Sequence, residues 1–113
     1  MTDLSGTRFN YVELSVSETA RSRAFYEEAF GWAFADYGPG YSATATGDTD
    51  LGLDASTKAP PLPVIESRNL AATRTAVLAA GGKLTRDIYG FPGGSRFEFT
   101  DPDGNRLAVW QQD

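Results

Sequence analysis

Residues 8–32 read RFNYVELSVSETARSRAFYEEAFGW, and they contain both kinds of periodicity in one run. Val12, Leu14 and Val16 alternate with Tyr11, Glu13 and Ser15, a period of two that predicts a strand over Arg8–Val16 with one face buried. Ser17 is a candidate helix cap, and Glu18 suits the positive end of a helix dipole. Residues 18–30 then read as a helix whose apolar stripe is Ala20, Ala24, Phe25 and Ala29. Gly31 stands where glycine usually ends a helix, because it enters the left-handed region without a Cβ penalty. Strand, capped helix and glycine stop make one unit, β then α.

Three short strands are predicted to follow, over Trp32–Asp36, Tyr41–Thr46 and Asp50–Asp54, separated by turn chemistry at Tyr37–Gly40 and Gly47–Thr49. The same order then recurs. Leu62–Glu66 reads as a strand, Ser67 or Asn69 as a cap, Leu70–Ala80 as a helix, and Gly81-Gly82 as its stop. Lys83–Asp87, Ser95–Thr100 and Arg106–Gln111 read as strands. Tyr89–Gly94 reads as a glycine-rich loop, a plain hairpin connection or a lid. Asp101–Asn105 reads as a turn, since Gly104 and Gln112 fall at the wrong places for a calcium loop. Each half is therefore β-α-β-β-β, with modules over about 8–56 and 62–111 and a linker over about 57–61, in the stretch Thr57–Pro63 that holds three prolines. The length of 113 residues suits a single domain over 1–113.

Composition excludes much chemistry. There is no Cys and no His, which removes disulfides, thiolate nucleophiles, serine–histidine catalysis and the commonest transition-metal ligand. Ten Lys and Arg against fifteen Asp and Glu give a net charge of −5 with no basic stripe, so nucleic acid is not an expected partner. No apolar run has the ~20 residues of a membrane span, and residues 1–10 lack a signal-peptide pattern, so a soluble cytoplasmic protein is expected.

Two segments carry a family resemblance. Phe9–Val16 with Ala24–Trp32, and Phe97–Trp110 containing Asp-Pro-Asp-Gly-Asn, resemble the opening and closing segments of the vicinal-oxygen-chelate superfamily, the glyoxalase/bleomycin-resistance/dioxygenase proteins. The resemblance implies an α+β fold in which two βαβββ modules form a cupped mixed sheet, with helices on the outer face and a ligand cavity on the concave one. It also implies a homodimer. Its four metal-ligand positions fall on Tyr11, Gly52, Leu62 and Ala108, none of them a usual ligand of that family. The expectation is therefore no metal and no cofactor.

Alternation assigns the faces. If Val12, Leu14, Phe97, Phe99, Leu107 and Val109 pack on the helices, then Tyr11, Glu13, Arg96, Glu98, Arg106, Ala108 and Trp110 face the concave side. The expected ligand-binding set is Tyr11, Glu13, Trp32, Tyr41, Arg96, Glu98 and Trp110, with aromatic rings as walls and charges orienting polar groups. Three functions follow from this set. One is binding of a small organic ligand without a transition metal. Another is an enzyme of the same superfamily, an isomerase or lyase using Glu13 and Glu98 as acid and base, or holding a Mg-type ion between them. The third is an interaction module with no ligand.

Overall fold

The computed structural model describes residues 4–113. The chain divides into two compact units, Asn10–Leu62 and Pro63–Asp113 with the residues through Phe9. Module one and module two below follow the repeated strand–helix–strands order, so β1 begins two residues before, and β5 one residue before, the boundary between the units.

Module one comprises β1 (Arg8–Ser15), α1 (Thr19–Phe30), β2 (Phe34–Asp36), β3 (Tyr41–Thr44) and β4 (Asp50–Asp54). Its strands lie in the order β2-β3-β4-β1. The helical crossover makes β1 and β4 parallel, with Glu13 opposite Gly52, while the short turns make β2–β3 and β3–β4 antiparallel. Module two repeats the scheme with β5 (Leu62–Glu66), α2 (Leu70–Ala79), β6 (Lys83–Phe91), β7 (Gly94–Thr100) and β8 (Arg106–Gln112), in the order β5-β8-β7-β6. β5 and β8 are parallel and the hairpin pairs antiparallel. The β-α-β-β-β order of each module is as the sequence pattern predicts, and the α+β class is as the resemblance implies.

The core of module two follows from the same alternation. Phe97, Phe99, Val109 and Leu70 are buried together, and Ile65, Val77, Leu84 and Leu107 pack against them. Asn69 caps α2 by accepting a hydrogen bond from the Ala72 amide at 3.0 Å. The Asp101–Asn105 turn is held by Asp101, whose Oδ1 accepts the amides of Asp103 and Asn105 at 3.0 and 2.8 Å.

Three local expectations are corrected. The predicted stripe Ala20, Ala24, Phe25 and Ala29 is exposed, and the inward side of α1 is Thr19, Ser22, Arg23 and Tyr26. The helix is turned so that Tyr26 seats against Phe34 and Trp32, which leaves Phe25 exposed along with the three alanines. Ser17 is not the cap. Glu18 takes that position without a side-chain bond, and Ser17 Oγ accepts from Arg21 instead. Gly31 does end the helix, with φ 73° and its amide on the Glu27 carbonyl. Finally, Tyr89–Gly94 is no lid. β6 runs to Phe91, paired with Gly94, so only Pro92 and Gly93 turn, and Gly93 has the positive φ (105°) of a tight hairpin.

Candidate functional site

Strand register brings three predicted residues of module one together. Tyr11 and Glu13 alternate on β1, Gly52 lies opposite Glu13 on β4, and Ala43 of β3 lies opposite Gly52, so Tyr41 shares their face. The Tyr41 hydroxyl donates to Glu13 Oε2 at 3.0 Å and is hydrogen-bonded to the Tyr11 hydroxyl. Since a phenol has one proton and Tyr41 gives its own to Glu13, Tyr11 is the donor of that pair. Both rings lean over Gly52. A Cβ at that position would fall within the van der Waals shells of both hydroxyl oxygens and 2.8 Å from Tyr11 Cε1.

Burial dominates the acidity of these phenols. Desolvation pushes Tyr11 up to about 12, with the Tyr41 hydrogen bond opposing it and the Glu13 charge adding to it. Tyr41 is raised further, by burial and by its Tyr11 and Glu13 neighbours. A phenol whose pKa is raised by folding stabilises the native state below its ordinary value of 10.0, and that contribution is lost as pH rises through the raised value. In an alkaline titration of the folded protein, the tyrosinate absorbance of Tyr11 and Tyr41 is therefore expected to stay missing above pH 10 and to appear together with unfolding. Ionisation of all five tyrosines with an ordinary midpoint near pH 10 in a still-folded protein would contradict the arrangement.

Module two gathers a different cluster. Arg96 and Glu98 alternate on β7, opposite Trp110 and Ala108 of β8. Tyr89 donates to Glu98 Oε2 at 2.8 Å and accepts from Arg96 Nε. Arg106 Nη2 reaches Glu98 Oε1 at 3.3 Å, and Arg96 Nη2 lies 3.5 Å from Oε2. Burial alone would raise the Glu98 carboxyl, but the Tyr89 hydrogen bond and the two guanidinium charges outweigh it and hold it below the usual range. Glu98 is thus a fixed anion. Trp110 has the Phe91 ring 6.3 Å away, centroid to centroid.

Tyr89, Arg86 and Arg106 complete this cluster, and the first two were not legible as site residues. Between Arg86 and Tyr89 the register slips, because Arg86 faces Glu98 while Tyr89 faces Arg96. A first slip, between Leu84 and Arg86, has already carried Arg86 off the Leu84–Phe99 face, and with the second, where three steps on β6 span two on β7, Arg86 and Tyr89 both stand on the Glu98 face. The Arg86 guanidinium then lies 3.5 Å from the Tyr89 ring centroid. The sequence signal was Asp87-Ile88, which breaks the pattern by exposing an isoleucine; Asp87 instead takes a bidentate pair from Arg74 at 2.7 and 2.9 Å.

Trp32 stands apart from both clusters. It stacks on Tyr26 and Phe30 of α1 at 5.7 and 4.9 Å, and is 44% exposed.

The family model described as the Glyoxalase/Bleomycin resistance protein/Dioxygenase superfamily matches residues 8–109. No curated protein matches the chain. Among solved structures, a methylmalonyl-CoA epimerase from Mycobacterium tuberculosis superposes with a TM-score of 0.77 at 12% identity, over 100% of this chain and 93% of that one. A hypothetical protein from Bacillus halodurans C-125 gives 0.78 at 11%, covering 96% of each chain. A Mn(II)-bound glyoxalase from Novosphingobium aromaticivorans gives 0.72 at 21%, with 93% of this chain covering 40% of that one. At such identities the likeness is one of fold.

A metal of the kind bound by that glyoxalase does not fit the residues present here. Of the four positions mapped for ligands, Gly52 has no side chain and its space is filled by two phenols, while Leu62 and Ala108 are buried hydrocarbon. Tyr11 carries a proton that its surroundings retain to about pH 12, and a protonated phenol is a poor ligand. Among the described residues no three of His, Cys, Asp and Glu are grouped as a metal site would need.

Proposed function

Because the chain belongs to the glyoxalase/bleomycin resistance protein/dioxygenase superfamily, we propose that it binds a small organic ligand on the polar faces of its modules without a transition metal. The observation that carries this reading is Gly52. The position expected to supply a metal ligand is a glycine, and the hydroxyls of Tyr11 and Tyr41 stand in the space above it. What remains on these faces is phenol, guanidinium, carboxylate and indole, a set that recognises organic molecules by hydrogen bonding and ring contact. Tyr11, Glu13 and Tyr41 act in module one, and Arg96, Glu98 and Trp110 in module two. Trp32 belongs to the proposal as an aromatic outside both clusters.

The fixed ionisation of Glu98 argues for orientation of a ligand rather than proton abstraction, since a general base works best with a pKa near the working pH. A homodimer is part of the proposal. Phe25, Phe30 and Trp32 expose 59%, 59% and 44% of their surfaces on one side of module one, an apolar patch of the kind that partners cover. We also place the protein in the cytoplasm; no helix among the described residues is long and apolar enough to cross a membrane.

The test is a thermal-shift screen over neutral, cationic and anionic organic compounds. A true ligand at a hundredfold its dissociation constant stabilises the native state by about 2.7 kcal/mol, a readily seen shift. Stabilisation that is lost in Tyr41→Phe or Arg96→Lys is the expected result. A broad library without any stabilising compound would defeat the reading.

A further inference from the structure

In an acidic chain, module two carries a locally reversed balance of charge. Its β6–β7–β8 face bears Arg86, Arg96 and Arg106, with Lys83 beside Thr100 at one end. The carboxylates facing them are Glu98 and, as the β5 register partner of Trp110, Glu66. Four cations thus meet two anions, whereas the whole chain has ten against fifteen. Three of the four are arginines, whose planar fork pairs with a carboxylate at two points and stacks on rings, which lysine does not do.

The cluster is also built rather than scattered. Two slips in β6 register place both Arg86 and Tyr89 on this face, where the Tyr89 ring lies under the Arg86 guanidinium and its hydroxyl bridges Arg96 and Glu98. Bulges of this kind re-aim side chains beside functional sites. Arg96 is therefore held by Tyr89 and Glu98, so little rotamer freedom remains to be lost on binding. Directly across the ladder from Arg96 stands Trp110, with Phe91 beside it. Arg96 and Trp110 are register partners on adjacent strands, about 5 Å apart at the backbone.

We infer that this face takes a small aromatic or conjugated carboxylate, with Arg96 and Arg106 gripping the carboxylate and Trp110 lying along the ring. The inference rests on the ligand-binding reading above and names the chemical class for module two. Glu98 is part of the grip, since it fixes both guanidiniums in place and its own charge is already matched by them.

Isothermal titration of the full chain with benzoate, cinnamate and 2-naphthoate, their primary amides, and acetate tests it. The aromatic carboxylates are expected to bind, and the amides and acetate to bind at least about tenfold more weakly, since each loses one half of the recognition. Arg96→Lys keeps the charge but loses the fork and should weaken the carboxylates by about tenfold while leaving the amides unchanged. Arg106→Gln, at a more exposed position, gives a second reading should Arg96→Lys disturb the fold, which circular dichroism reports. Amides that bind as well as the acids, or carboxylates unaffected by both substitutions, would overturn the inference. So would the absence of any aromatic-carboxylate binding. If a neutral or cationic compound from the thermal-shift screen stabilises the protein while no carboxylate does, this inference falls and the ligand-binding reading stands. If no compound of any charge binds, both fall.

Discussion

Phe97→Ala is expected to destabilise the protein by about 3–5 kcal/mol, the range for truncating a buried phenylalanine. Phe97 is fully buried, its ring 5.9 Å from that of Phe99, and it sits at the centre of the Leu70, Phe99 and Val109 cluster. No small neighbour is free to collapse into the space, because Val109 opposite it is itself fully buried and strand-bound. Since domains of this size are stable by about 5–15 kcal/mol, one truncation would remove much of the margin. Urea unfolding followed by circular dichroism measures it. A loss below about 1 kcal/mol would mean that Phe97 is not where the alternation puts it.

The second large effect is at Gly52, and it bears on the site. Gly52→Ala introduces a Cβ into space held by the two phenol oxygens. Tyrosine ends can swing, but these two are tied to each other and to Glu13, so moving them breaks hydrogen bonds as well as contacts. Overpacking of this kind costs about 1–3 kcal/mol. The diagnostic is the coupling. Tyr41→Phe alone loses the bond to Glu13, but in the Gly52→Ala background the same change also removes a clashing oxygen. The double variant should therefore lose less than the two single losses added, by at least about 0.5 kcal/mol. Strict additivity, or a Gly52→Ala protein as stable as the parent, would mean the hydroxyls do not stand over Gly52.

How much of this was legible in the sequence depends on whether local chemistry decided the position. Phe97-Glu-Phe99 and Leu107-Ala-Val109 alternate cleanly and pack as alternation says, which carries Arg96, Glu98, Arg106 and Trp110 to the other face. Gly31, Asn69 and the Asp101 turn rest on backbone chemistry of a few neighbouring residues, and they too were readable. The inward side of α1 was not readable, because two adjacent rings, Phe25 and Tyr26, offered two phases, and Tyr26 packs against Phe34 and Trp32 while Phe25 stays exposed. The two slips in β6 were hidden because register belongs to the pairing of two strands, which neither strand's sequence states alone. Gly52 was visible as a missing ligand. That the vacancy admits two phenols from β1 and β3 depends on three strands at once.

At Gly52 the hydroxyls of Tyr11 and Tyr41 hold the ground that a metal would need. The most direct measurement is the metal content of the purified protein after incubation with excess manganese, iron, nickel and zinc salts and removal of unbound ions. No stoichiometric metal is expected, and no change in stability on adding any of the four. About one equivalent per chain, retained through dialysis and lost in Tyr11→Phe, would contradict this.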